Sequence, residues 1–216
     1  CSGSLIGGVA VTEPDGGSDV MGQKSTAQLE GDHWVINGRK CFITNSHISD
    51  MCIVSAKTGS DEKGRPQFGA FILERGMAGF ASGRKEHKLG MRGSITGDLV
   101  MNQVKVSAQN LIGTPQNGSA IALKQISEIG RASMAAICVG ILKGCLEESL
   151  KFGEERYLYG KPLTKLQAIQ FHIAENRLDY EAARLLLYKA ASLKDRNQSC
   201  TAEFSMAKHF GTEAAS

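Results

Sequence analysis

The 216-residue chain is predicted to be a multidomain protein of α and β parts: an antiparallel β-barrel or sandwich over residues 1–118, then an incomplete up-down helical bundle over residues 119–216. Three observations predict this. Short apolar runs with alternating character, separated by Gly, Asp and Asn clusters, fill the first half. After Thr114-Pro115-Gln116-Asn117-Gly118 the apolar spacing changes to threes and fours. No strand-like run alternates with a helix-like run, which disfavours a doubly wound nucleotide fold.

Taken in order, Leu5-Ile6-Gly7-Gly8-Val9-Ala10-Val11 reads as a buried strand. The glycine-rich run from Ala10 to Gly22 follows it directly. Gly16 and Gly17 allow positive φ and the close approach of a ligand, so backbone N–H groups and the Thr12 and Ser18 hydroxyls can converge on a phosphate-bearing group. The glycines alone fit an ordinary Asp-Gly turn equally well. Further strands are Trp34-Val35-Ile36, Met51 to Ala56, Ala70 to Glu74 and Asp98 to Met101, with hairpin signals at Glu30-Gly31-Asp32 and Asn37-Gly38.

In the second half, Met134, Cys138, Ile141, Leu142 and Cys145 form one apolar stripe, with Gly140 and Gly144 thinning one side for close helix contact. This helix stops between Lys151 and Arg156. Pro162 starts a second helix whose apolar residues, among them Leu166, Phe171, Leu178 and Leu185, cover more than one face, as in a helix buried within a bundle. A third runs from Thr201 to the last residue, Ser216. Two and a half helices cannot close a four-helix bundle, so the chain reads as a fragment.

Composition bounds the function. A hydrophobic share of 42% with 22% charged residues is that of a globular chain, and a net charge of +3 is too small to argue for nucleic acid. No uninterrupted apolar run approaches the roughly 18 to 20 residues of a membrane span, and no basic-then-apolar leader precedes the domain, although the chain begins at Cys1 without Met. The six cysteines include no Cys-x-x-Cys pair and read as free thiols of a reducing compartment: the cytoplasm, or a mitochondrial matrix in a eukaryote. The five histidines lie far apart without metal spacing.

Three segments taken together point further. They are Thr12-Glu13-Pro14-Asp15-Gly16-Gly17-Ser18-Asp19, Asn37-Gly38-Arg39-Lys40-Cys41-Phe42-Ile43-Thr44-Asn45, and Lys88-Leu89-Gly90-Met91-Arg92-Gly93-Ser94. In this order and spacing the chain resembles the acyl-CoA dehydrogenase family from Leu5 to about Ala215. The resemblance implies FAD as cofactor. Val11, Thr12, Gly17 and Ser18 would contact the flavin and its diphosphate, and Phe42, Ile43 and Thr44 the other side of the ring pocket. Arg131, with Glu128 and Ser18, would face an acyl-CoA thioester. The loop Arg156-Tyr157-Leu158-Tyr159-Gly160-Lys161-Pro162-Leu163 resembles the family's Arg-x-x-Phe-Gly-x-x-Leu segment. It places Arg156 and Gln167 at the FAD of a neighbouring subunit in a homotetramer or homodimer.

Two departures are minor: Tyr159 stands for the usual Phe, and Ser107 for a common Pro. The implied reaction is α,β-dehydrogenation, with electron transfer flavoprotein as acceptor; an acyl-CoA oxidase or a non-catalytic FAD-binding relative shares the same resemblance. The base is the glutamate that most relatives carry later, expected beyond Ser216. The minority position, just before Arg131, holds Gly130. Glu13 is expected to brace its turn.

Overall fold

The computed structural model describes residues 2–216, so Cys1, one of the six cysteines, lies outside the described residues. The chain divides into a β unit ending at Leu123 and a helical unit starting at Lys124. The change of texture that the sequence places at residue 118 falls at the start of helix α1 (Gly118–Lys124).

The β unit is built on β1 (Gly7–Ala10), β2 (Thr26–Glu30), β3 (His33–Thr44), β4 (Met51–Ser60), β5 (Pro66–Glu74), β6 (Phe80–Lys85), β7 (Thr96–Ser107) and β8 (Leu111–Ile112). They form one eight-stranded sheet in the order β6-β7-β3-β2-β4-β5-β8, with β1 on β4. Trp34, Ile36, Val54, Ala56, Phe71, Leu73, Leu99, Met101, Val104 and Val106 alternate inward from β3, β4, β5 and β7 to make its core. Trp34 meets Phe71 edge to face at 5.3 Å.

Three expectations need correction here. The sheet is mixed and does not close into a barrel. β1 runs parallel to β4 from Gly7 opposite Met51 to Ala10 opposite Val54, and β2 touches β4 in parallel at Thr26 and Lys57. Strands β6 and β8 are short edges that pair on one side only. The first strand is also shorter and less buried than its sequence suggests: only Ala10 is buried, while Leu5 and Val9 are exposed. Finally, Glu30-Gly31-Asp32 does turn β2 into β3, with Gly31 at φ +65°, but Asn37-Gly38 is no turn. Gly38 sits in mid-strand at φ +149°, where a Cβ would lie 2.1 Å from Ser25 Oγ; close packing against Ser25 is what requires glycine.

The helical unit opens with a π-helical turn (Gln125–Gly130) that runs straight into α2 (Arg131–Glu155). A tight hairpin of β9 (Tyr157–Leu158) and β10 (Lys161–Pro162) leads to α3 (Gln167–Asp195) and α4 (Thr201–Ala214). Pro162 therefore ends a hairpin rather than starting a helix. Tyr159 and Gly160, both at positive φ, make its turn.

The buried stripe of α2 is Ala135, Cys138, Leu142 and Leu146, rotated from the predicted one; Met134, Ile141 and Cys145 are exposed. The close contact is made from the other helix. Gly211 of α4 brings its backbone to Cys138, where a Cβ would lie 3.3 Å from the Cys138 Cβ, whereas Gly140 and Gly144 face open space. Helix α3 buries only Ala183 and Ala190 and leaves Phe171, Leu178 and Leu185 exposed, because only α2 and α4 cover it in this unit.

The continuous helical run Gly118–Glu155 is long and apolar enough to cross a membrane by length and composition, with a mean hydropathy of 1.5 over its best window. Arg131 and Lys143 interrupt its apolar residues, so no uninterrupted apolar run reaches that length.

Candidate functional site

Two of the three motifs are clamped together by a buried ion pair. Lys40 is fully buried and Glu13 is 6% exposed. The Lys40 ammonium donates to Glu13 Oε1 at 2.7 Å, to Gln23 Oε1 at 2.7 Å and to the Val11 carbonyl at 3.1 Å, which uses all three of its protons. The Glu13 carboxylate in turn accepts the backbone N–H groups of Lys24 and Ser25, at 2.6 and 3.0 Å. Glu13 and Gly16 exchange backbone hydrogen bonds around Pro14-Asp15, so the turn is closed by its main chain while the carboxylate reaches out to Lys24, Ser25 and Lys40.

Burial pushes the Glu13 carboxyl up, but hydrogen bonds from Lys40, Ser25 and the Lys24 N–H outweigh it and hold it below the usual carboxylate range. Burial pushes the Lys40 ammonium down against the pull of Glu13. For a carboxylate with a lowered folded pKa, the stability contributed is complete above the unfolded value of 4.5 and lost as pH falls through the folded value. The urea midpoint of the β unit is therefore expected to drop on acidification below 4.5, and to drop less in Glu13→Gln.

The clamp decides where β3 points. The Cys41 N–H donates to the Thr12 carbonyl at 2.9 Å, laying the first motif along the second. Between Lys40 opposite Leu99 and Ile43 opposite Gly97, β3 carries one residue more than β7, a β-bulge. Phe42 occupies it at φ +58°, a conformation that costs a non-glycine residue on the order of 1 kcal/mol or more, and the residue is 64% exposed. Ile43 turns inward into the core, and Thr44 turns outward again. An aromatic face and a hydroxyl thus leave the same stretch of strand on the outer side.

Thr44, with Asn45, forms one wall of an open cleft of about 430 Å³ whose other lining residues are Gly7, Gly8, Val9, Met51 and Ile53. The glycines matter here: a Cβ on Gly8 would lie 2.9 Å from Cys52 Sγ and 3.3 Å from the Thr44 carbonyl. Thr12 does not line this cleft and reaches β3 through its backbone. Gly16 and Gly17 do not take positive φ, contrary to expectation. Gly17 is needed for close approach instead, since a Cβ would lie 3.3 Å from the Thr12 side chain. Ser18 is exposed, and Asp19 Oδ1 accepts the Gly22 N–H at 3.0 Å to close the loop.

In the helical unit, Glu128 and Arg131 lie in and just after the π turn. The Glu128 carboxylate pairs with Lys194 of α3, which lowers its pKa through their hydrogen bond. Arg131 Nη1 donates to Ser205 Oγ of α4 at 2.9 Å. Arg156 ends α2 and Gln167 begins α3; both are exposed. Sequence reasoning missed Gly8, Val9, Lys194 and Ser205. Only Gly7-Gly8 left a trace, as a glycine pair inside an apolar run. Among the described residues no three His, Cys, Asp or Glu side chains form a group that could hold a metal ion.

Residues 8–104 match the family model of the acyl-CoA dehydrogenase middle domain, and residues 116–216 match that of the acyl-CoA dehydrogenase C-terminal domain. The chain belongs to the acyl-CoA dehydrogenase family.

Among its curated relatives, the short-chain specific acyl-CoA dehydrogenase of rat mitochondria is 40% identical over 214 residues, 99% of this chain and 52% of the relative. The caffeyl-CoA reductase-Etf complex subunit CarC of Acetobacterium woodii is 40% identical over 204 residues, 94% of this chain and 53% of the relative. The solved butyryl-CoA dehydrogenase of Megasphaera elsdenii superposes with a TM-score of 0.92 at 38% identity, over 97% of this chain and 55% of that one. The chain thus spans about half the length of the acyl-CoA dehydrogenase relatives it matches.

Proposed function

We propose that the protein is a flavoprotein oxidoreductase that introduces an α,β double bond into an acyl-CoA thioester. One observation carries the reading: the buried Glu13–Lys40 clamp and the Thr12–Cys41 bond hold the two signature motifs side by side, so that the strained bulge presents Phe42 and Thr44 outward.

The residues fit FAD. An exposed aromatic face, a hydroxyl on a glycine-floored cleft and a loop with Gly17 closed against Thr12 suit a flat ring and its phosphates. Val11, Thr12, Gly17, Ser18, Phe42 and Thr44 would hold it, with the buried Ile43 contributing backbone only. When bound, FAD accepts the hydride that leaves the β carbon. Thr44 donates its hydroxyl proton towards the charge that accumulates at the ring edge, and Phe42 supplies apolar surface. By the family resemblance, Arg131 would supply a cation to the enolate-like oxygen formed as the α proton leaves. Gly130, next to Arg131, has no side chain with which to take that proton.

Arg156 and Gln167, exposed at the ends of α2 and α3, are available to the cofactor of a neighbouring copy in a homotetramer or homodimer. An electron transfer flavoprotein is the proposed acceptor, supported by the Etf-complex relative. The free Cys41, Cys52, Cys138, Cys145 and Cys200 suit a reducing compartment such as the cytoplasm.

The test is to reconstitute the complete open reading frame that contains this chain with FAD and add a panel of saturated acyl-CoA esters. Bleaching of the flavin absorbance by one chain-length class supports the reading, and bleaching by none leaves a non-catalytic FAD-binding relative. Thr44→Val is expected to slow bleaching in single-turnover mixing by about 10²-fold, the effect of losing one fixed donor. Arg156→Ala is expected to lower the FAD to protein absorbance ratio while leaving the melting temperature of the apoprotein unchanged.

A further inference from the structure

The end of β3 that carries Thr44 depends on few neighbours. Strand β2 pairs with β3 from His33 to Asn37; beyond that β7 is the only ladder partner, and the last pair is Thr44 opposite Thr96. Against the Thr44 backbone lies β1, packed so closely that a Cβ on Gly8 would sit 3.3 Å from the Thr44 carbonyl. The placing of β1 is thus coupled to that of Thr44. Yet only Ala10 of the four residues of β1 is buried, so apolar packing holds the strand weakly, and its parallel ladder to β4 is short.

Two side chains of the turn after Thr44 add what packing does not. Asn45 Nδ2 donates to the Gly7 carbonyl at 3.2 Å, and Asp50 Oδ2 accepts the Ile6 N–H at 2.7 Å. The Asn45 main chain is itself braced: its carbonyl accepts the N–H groups of Ile48 and Ser49 at 3.0 and 2.8 Å, and its N–H donates to the Ile95 carbonyl at 2.8 Å. Its φ of +64° lies in the left-handed region that Asn tolerates better than most residues. A fixed backbone at the end of β3 thus carries an amide that reaches β1, at the cleft that Gly7, Thr44 and Asn45 all line.

We infer that Asn45 is a positioning residue: its side-chain amide clips β1 to the end of β3 and so fixes the Thr44 hydroxyl over the glycine floor of the cleft for the flavin edge. This rests on the proposed function. Asn45 acts through Gly7 and Gly8, not on the reacting atoms. The rival account gives it a backbone role alone, as a residue at ease with positive φ. Glycine takes that φ freely, and aspartate keeps the shape and tolerance of Asn but turns only acceptors towards the Gly7 carbonyl. Both substitutions remove the clip and keep the backbone.

The test uses the complete open reading frame that contains this chain, apo and FAD-loaded, with Asn45→Gly and Asn45→Asp. In the apoprotein, amide hydrogen exchange over Gly7–Ala10 is expected to quicken by about fivefold in both variants, the factor set by one ordinary hydrogen bond, while the core residues 104–106 exchange as before. In the FAD-loaded variants, the visible circular dichroism of the bound flavin is expected to change. Single-turnover bleaching at saturating acyl-CoA ester is expected to slow by about tenfold, with the half-saturating ester concentration unchanged. Wild-type exchange over Gly7–Ala10 in both variants, quickened exchange spread evenly over every strand, or quickened β1 exchange with wild-type flavin dichroism and bleaching would each overturn the inference. If the wild type bleaches with no ester, the function reading fails, and exchange together with flavin dichroism still decides whether Asn45 sets the cleft.

Discussion

Replacing Lys40 with methionine is expected to destabilise the β unit by about 3 to 5 kcal/mol, the cost of leaving one partner of a buried ion pair uncompensated. The lysine is fully buried and satisfies three acceptors at once: Glu13, Gln23 and the Val11 carbonyl. Methionine fills a similar volume but donates nothing, so the Glu13 carboxylate keeps only its two backbone N–H donors. The matched variant Glu13→Gln/Lys40→Met removes both charges while retaining an amide oxygen as acceptor, and is expected to recover more than half of the loss. Guanidinium unfolding followed by Trp34 fluorescence reads the comparison directly, since Trp34 lies in the core of this unit. A single-variant loss below about 1 kcal/mol is the behaviour of a surface ion pair. It would mean that the clamp is open to water and does not fix the two motifs. FAD occupancy is expected to fall with stability in Lys40→Met, because the same clamp orients Thr12 and Phe42.

How much of this was legible in the sequence follows from what each residue's signal depends on. Motif residues could be read because their types recur in a fixed local order, and both Phe42 and Thr44 leave β3 on its outer side. That Glu13 would be structural was legible, but not its partners: its carboxylate binds Lys40 and the Lys24 and Ser25 N–H groups instead of its own turn. Lys40 lies far along the chain, and a lysine after Asn-Gly-Arg reads as solvated. The Asn37-Gly38 pair misled for a tertiary reason: Ser25 packs where a Cβ would sit, and packing overrode turn chemistry.

In the helical unit the apolar period located α2 but not its buried face. That face is set by where Gly211 of α4 makes contact, and this is not a property of α2. The π turn had no sequence signal beyond Gly130, because an i to i+5 pattern leaves the composition unchanged. Its consequence, the separate pairing of Glu128 and Arg131, could come only from coordinates. The parallel placement of β1 on β4 was likewise hidden, since an exposed four-residue strand carries too few positions to show which neighbour it takes.

Arg131→Met is expected to lower kcat/KM for acyl-CoA bleaching by about 10² to 10³-fold, or roughly 3 to 4 kcal/mol of transition-state stabilisation. The α proton of a thioester is weakly acidic, and its removal places negative charge on the carbonyl oxygen; a fixed cation there acts mainly once that charge has formed. The loss should therefore fall on kcat more than on KM. Arg131→Lys should recover part of the rate, because a lysine supplies a point charge without the planar fork that also reaches Ser205 at 2.9 Å. FAD occupancy should be unchanged in both variants, which separates this effect from those of Thr12, Phe42 and Arg156. The competing account makes Arg131 a tie between α2 and α4 and nothing more. On that account methionine costs about 1 kcal/mol of stability in the helical unit and leaves bleaching untouched. Measuring unfolding and bleaching on the same variant distinguishes the two, because a tie that only packs helices cannot lower kcat while the melting curve stays in place.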